Sequence, residues 1–209
     1  MENVVKNELS NIRNLKHIDQ GKYIVDQIQY INYNLKNPNV QEKEYIQDDS
    51  IAVENERLSY IQLMYNRNPM IYVTTPKMFC PFGLNRNINI MNLQFTNLET
   101  DPHMKSFYEF IQNIEFQQMA HIGLTEENAN LYKSQIQYDK NGVYDPTLVT
   151  KLPFNYNKYE VDIYNDKFPT TILGIQKYTT MTCDIYIDKI WKYNDQYICK
   201  WKVRNIFIH

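Results

Sequence analysis

No run of about 18 apolar residues occurs in this chain, so a membrane-spanning helix is not expected. The opening residues, Met1-Glu-Asn-Val-Val-Lys6, have neither the basic start nor the apolar stretch of a signal peptide. Glycine is scarce, with five in 209 residues. There is no Gly-x-x-x-x-Gly-Lys, Gly-x-Gly-x-x-Gly or Gly-x-Ser-x-Gly, and hence no loop of the kind that cradles phosphates or presents a nucleophilic serine. The three cysteines, Cys80, Cys183 and Cys199, are odd in number and lack Cys-x-x-Cys spacing. Reduced thiols in a cytoplasmic setting are expected, without a zinc site or other cofactor. The four histidines, His17, His103, His121 and His209, stand apart from each other and from any Cys or carboxylate motif. Positive net charge is missing as well. The formal value of -2 argues against a protein that holds duplex DNA through bulk charge.

That charge is unevenly spread. Residues 1–56 carry six Lys and Arg against ten Asp and Glu, and residues 57–209 carry sixteen against fourteen. The final stretch, 189–209, has Lys189, Lys192, Lys200, Lys202 and Arg204 against Asp195 alone. Asn, Ile, Lys and Tyr dominate, as an AT-rich coding sequence would produce, but 18 Tyr are less easily set aside. The length suits one domain with decorations. We divide it into residues 1–56, an N-terminal helix, strand and acidic loop packed on the rest, and residues 57–209, a β-barrel domain.

In chain order, residues 2–18 have helical spacing at Val5, Leu9 and Ile12, ending at Gly21. Tyr23 to Tyr33 reads as a strand, Asn37-Pro-Asn39 as a turn and 41–56 as an acidic surface loop. Leu58 to Tyr65 and the Met70 strand are expected to form a hairpin across Asn66-Arg-Asn-Pro69. Ile88 to Phe95 reads as a strand whose alternation slips between Ile90 and Met91, as at a bulge. Asp101-Pro102 then opens the clearest helix, with Met104, Phe107, Tyr108, Ile111 and Ile114 on one stripe and Gly123 at its end. Asn141-Gly142 marks a tight turn, and Tyr159 to Tyr164 alternates as a strand. At the C-terminus, Met181, Cys183, Ile185 and Ile187 share one strand face. Tyr197, Cys199, Trp201, Val203 and Phe207 share another. A three-residue loop at Asn194-Asp-Gln196 sets Tyr193 opposite Tyr197, Trp191 opposite Cys199, Ile187 opposite Val203 and Tyr186 opposite Arg204, with Asp188 meeting Lys202.

The stretch Met70-Ile-Tyr-Val-Thr-Thr-Pro-Lys-Met-Phe-Cys-Pro-Phe-Gly-Leu84 organises the rest. It opens as a strand, breaks at Pro76, and breaks again at Pro81-Phe82-Gly83, where Gly83 can take positive φ. A cation and two rings lie at those breaks. Single strands are bound by rings that stack on bases and cations along the backbone, so the candidate nucleic-acid-binding residues are Tyr72, Lys77, Phe79, Phe82, Tyr186, Lys200, Lys202 and Arg204. Asp162, Asp166, Asp184 and Asp188 are the carboxylates a two-metal nuclease site could draw on, but they alternate with apolar residues as solvated strand faces do.

The run Thr75-Pro76-Lys77-Met78 followed by Pro81-Phe82-Gly83 resembles a family of single-stranded-DNA-binding proteins of large eukaryotic DNA viruses and related cytoplasmic linear plasmids. The resemblance extends to the C-terminal hairpin around Trp191 and Trp201. It implies a mainly β, OB-like barrel with one main helix and a non-catalytic role in replication in the host cytoplasm, with single-stranded DNA and replication proteins as partners. One departure is that phage-type single-strand binders end in an acidic tail, whereas this chain ends in Lys-Val-Arg-Asn-Ile-Phe-Ile-His209. Two other classes stay open: a structural or assembly protein that uses exposed aromatics and sheet edges as a protein interface, and a binder of duplex ends.

Overall fold

A computed structural model describes residues 25–34, 59–166 and 168–209. The expected helix at 2–18, the turn at 37–39 and the acidic loop at 41–56 lie outside the described residues. Gln29–Asn34 (β1) and Ser59–Met64 (β2) pair antiparallel. The hairpin expected between 58–65 and the Met70 strand is corrected. A single bridge, Tyr65 to Asn68, turns the chain across Asn66 and Arg67, both left-handed at φ 49° and 66°. β2 instead lies against Lys189–Tyr193 (below), held there by the Gln62 side chain, which donates to the carbonyls of Pro69 and Asp188.

The Met70 stretch makes one barrel strand in two pieces, Ile71–Thr74 (β3) and Met78–Cys80 (β4). Pro76 has no N–H to give to a ladder, and the interruption is repaired locally. The Thr75 hydroxyl accepts from the Cys183 amide at 3.0 Å, and the Thr75 amide donates to the Cys183 carbonyl at 2.8 Å. The strand therefore resumes, with Met78 and Cys80 buried inside and Phe79 facing out. Leu84–Asn85 (β5) returns along Ile90–Gln94 (β6), which turns Met91 and Leu93 inward and Ile90, Asn92 and Gln94 outward. Its register with the next barrel strand is continuous, so the bulge expected at Ile90–Met91 is absent.

Pro102–Ile122 (α1) forms where Asp101 and Pro102 predict it. The Asp101 carboxylate accepts from the amides of His103 and Met104, and Gly123 closes the helix at φ 81°. Met104, Phe107, Ile111 and Ile114 are buried against the barrel, where Phe95 meets Phe107 and Tyr108. Glu115 is buried too. Burial pushes its carboxyl above the usual range, against the pull of bonds from Ser134 and the Gln135 amide.

Ile136–Gln137 (β7) lies on the start of Thr147–Lys151 (β8). An arm follows, made of Phe154–Asn155 (β9), Lys158–Tyr159 (β10), Asp162–Asn165 (β11) and Phe168–Pro169 (β12). Thr179–Ile187 (β13), Lys189–Tyr193 (β14), Gln196–Ile198 (β15) and Trp201–Ile208 (β16) complete the chain. β13 pairs with β3–β4 and with β16. β4 pairs with β6, β6 with β8, and β8 closes the ring by running parallel to β16. Counting β3–β4 as one, five strands in spatial order 1-2-3-5-4-1, with one parallel pair, make an OB-fold barrel. Its interior holds Met91, Leu93, Leu148, Met181, Ile185, Trp201 and Val203, all essentially inaccessible.

Two C-terminal register expectations are corrected. Asn194 and Asp195 are both left-handed, at φ 46° and 57°, which closes a two-residue turn, so Tyr193 pairs with Gln196 and Trp191 with Ile198. On β16, Arg204 is a bulge. Asp184 pairs with Asn205 and Ile185 with Val203, so Ile206 turns inward and Phe207, expected inside, turns outward. Tyr186 then pairs with Lys202, although the Lys202–Asp188 contact does form, at 2.8 Å.

Candidate nucleic-acid interface

Among the described residues, the outer wall of β6 and β8 is open. The side chains of Ile90, Asn92 and Gln94 alternate out of β6, and those of Thr147 and Val149 out of β8. Two adjoining cavities of about 540 and 510 Å³ run along this wall and share Phe82, Asn92 and Gln137. The first is rimmed by Phe79, Tyr138, Tyr144 and Tyr178, and the second by Gly83, Asn85 and Ile88. Phe82 is 66% exposed, Tyr144 71% and Tyr178 70%. Rings this exposed contribute little to the core, and set side by side along one wall they form an exposed aromatic patch.

Each ring is set by a local device. Phe79 projects from β4 and stacks on Tyr178, with centroids 5.9 Å apart. Tyr178 stands at φ 67°, a left-handed conformation that is unfavourable for a bulky residue. Its amide donates to the Cys80 carbonyl at 2.8 Å, which ties that loop to the end of β4. Gly83, at φ 68°, brings the loop that carries Phe82 so close to the backbone of Gln176 and Lys177 that an added Cβ would lie 3.0 Å from both. Tyr138 is held by a 2.7 Å bond between its hydroxyl and that of Tyr108, whose acidity burial and this bond suppress. The floor is paved with amides rather than charges. The first cavity has Lys177 against Asp139 and Asp145, and the second has no charged lining residue.

One prediction follows from the strained tyrosine. Tyr178→Gly relieves the left-handed conformation, so stability should be unchanged or rise by up to about 1 kcal/mol. A loss above about 2 kcal/mol in chemical denaturation would make Tyr178 a structural ring.

At the far end of β8, Lys151 donates to the Ile88 carbonyl. Burial, and then the neighbouring charge of Lys200, lower its affinity for a proton. Thr150 pairs with Trp201 and Lys151 with Lys202, which sets Lys200 and Lys151 at the same end of the barrel, where β8 meets the start of β16.

Of the residues singled out in the sequence, Phe79 and Phe82 stand in this groove. Lys77 is exposed at the break between β3 and β4, and Lys200 is exposed beside Lys151. Tyr72, Tyr186, Lys202 and Arg204 lie together on the wall formed by β3, β13 and β16. Tyr72, Tyr186 and Arg204 are buried there. Arg204 pairs with Asp162 at 3.2 Å and donates to the Glu160 carbonyl, and Lys202 donates to both Asp188 oxygens. Asp184 accepts from Thr74 and Asn205. Burial and then the Asp184 charge push the Tyr72 hydroxyl up to about 12. Among the described residues no three His, Cys, Asp or Glu side chains converge as a metal site, and three of the four aspartates weighed for a nuclease are in the pairs just given. The sequence did not single out Tyr138, Tyr144 or Tyr178, which sit in loops without periodicity. The available signal was the density of tyrosines around Asn141-Gly142.

No family model matches the chain, and no curated protein matches it. Among solved structures it is similar to the single-stranded DNA-binding protein from bacteriophage Enc34 in complex with ssDNA, at 9% identity and a TM-score of 0.44 over 71% of this chain and 89% of that one. It is similar also to gp2.5, a single-stranded DNA binding protein encoded by bacteriophage T7, at 13% identity and a TM-score of 0.45 over 66% and 86%.

Proposed function

We propose that this chain is a non-catalytic single-stranded-DNA-binding protein that acts in DNA replication. The observation that carries the reading is the open β6–β8 wall of an OB barrel, the face such barrels use for oligonucleotides, lined here by exposed rings over a floor of amides. In this reading bases lie inward and stack on Phe79, Phe82, Tyr138, Tyr144 and Tyr178. Side-chain amides of Asn92, Gln94 and Gln137 face the base edges, and the phosphates run outward past Lys177 toward Lys151 and Lys200. Lys77 is a further backbone contact. Tyr72, Tyr186, Lys202 and Arg204 serve the reading only indirectly, by fixing the opposite wall. The resemblance around Thr75-Pro76-Lys77-Met78 accords with a viral or plasmid replication protein of the host cytoplasm, with replication proteins as partners.

Fluorescence anisotropy with labelled oligo-dT and a duplex of equal length tests this. Tight binding of the single strand and much weaker binding of the duplex is the expected result. Four cations, Lys77, Lys177, Lys151 and Lys200, predict a log–log salt slope of about -3, at about 0.7 per contact. Binding to neither ligand would favour an assembly protein, and preference for the duplex a binder of duplex ends.

A further inference from the structure

A second aromatic surface lies outside the groove. β1, β2, β14 and β15 form a four-stranded sheet joined to the barrel through the β13–β14 connection and the start of β16. Its inner face carries Leu63 and Ile190, both fully buried. Alternation puts Tyr60, Gln62, Lys189 and Trp191 on the other face. Tyr60 and Trp191 are directly opposed across β2 and β14, with centroids 5.1 Å apart and both rings half-buried. Ile198 extends their row on β15, and Ile31, on β1 in the row of Gln62 and Lys189, is exposed. The Lys189 ammonium stands 4.9 Å from the Tyr60 ring centre and 5.9 Å from that of Trp191.

Rings with a cation beside them, on the outer, half-buried face of a sheet, have the chemistry that accepts a base and its phosphate together. The surface is also continuous with the proposed path. Lys151 ends β8 opposite Ile90, which lines the second cavity. Lys200, beside Lys151, is two residues from Ile198, the cross-strand partner of Trp191. We infer that Tyr60, Trp191 and Lys189 form a second stacking platform for single-stranded DNA, reached by a strand that leaves the barrel groove past Lys151 and Lys200. This rests on the groove reading and adds to it a longer site, with one end built from β2 and β14.

The two tryptophans make the test direct. Trp201 is 1% exposed inside the barrel and Trp191 is on the platform, so quenching by a stacked base reports Trp191. The full chain is titrated with dT oligomers of about 5 and about 16 nucleotides, near the two ends of the range seen for OB folds. The long oligomer should quench tryptophan emission and the short one should bind with little quenching. Trp191→Ala should lower affinity for the long oligomer by about 5- to 150-fold and leave the short one unchanged. Trp191→Phe keeps a ring and should restore most of that affinity while losing the signal. Equal affinity of Trp191→Ala and wild type for the long oligomer, or a long oligomer that binds without quenching, would overturn the platform and leave the groove intact. Quenching by the long oligomer with no binding of the short one would instead retain the platform and remove the groove.

Discussion

Removing two rings from the groove, Phe82→Ala with Tyr144→Ala, should abolish most single-strand binding and leave the fold untouched. Each stacked ring is worth roughly 1–3 kcal/mol per base, so the pair should cost about 2–6 kcal/mol, a loss of roughly 30- to 20,000-fold in affinity. Stability should change by less than about 0.5 kcal/mol, because both side chains are more than half exposed and neither reaches the interior. The measurement pairs oligo-dT titration with chemical denaturation of the same protein. Affinity within threefold of wild type would remove the groove from the binding site, whatever happens to stability. Tyr72→Phe with Tyr186→Phe is the matched comparison, since those rings are buried on the opposite wall and should leave affinity nearly constant.

Gly83→Val should produce the largest loss of stability from any single groove residue. Two costs combine. A side chain at φ 68° costs about 1–2 kcal/mol, and forcing a Cβ within 3.0 Å of the Gln176–Lys177 backbone costs about 1–3 kcal/mol more. Gly142→Val separates the two. It shares the left-handed conformation, at φ 65°, but has open space around its Cβ position, so only the conformational part applies. A Gly83 variant no less stable than the Gly142 variant would mean that the close approach is relieved without cost. Should the two differ as expected, the Gly83 variant will also bind single strands more weakly, because the segment it displaces is the one that aims Tyr178.

What the sequence made legible depended on local rules. The helix was visible because Asp101, Pro102 and Gly123 each act within one turn, and its stripe at Met104, Phe107, Ile111 and Ile114 is the face that is buried. The inward set Met181, Cys183, Ile185 and Ile187 was visible because strand alternation is local too. The failures have equally specific causes. At Arg204 an inserted residue reverses the alternation for everything after it, and no composition signal announces it. The β2 pairing is not legible because a turn at Asn66-Arg67 looks the same whether the chain doubles back into a hairpin or passes to another sheet. Pro76 reads as the end of a strand, whereas the Thr75 hydroxyl accepts from the Cys183 amide at the break and the strand resumes. Phe79 and Phe82 were legible as rings beside two breaks. Tyr178 was not, because what positions it is its own left-handed backbone and a hydrogen bond to Cys80.

The pairing of β2 with β14 also sets an order of events during synthesis. Residues 59–64 leave the ribosome well over a hundred residues before 189–192, with the whole length of β3 to β13 made in between. At translation rates of about 5–20 residues per second, the earlier strand waits on the order of ten seconds for its partner. Through that interval the inner side of β2, with Ile61 and Leu63, lacks its cross-strand neighbour Ile190. β2, made before β3 to β13, therefore docks after them, and the nascent chain must be kept from pairing its β2 edge with other chains until the β14–β15 hairpin emerges.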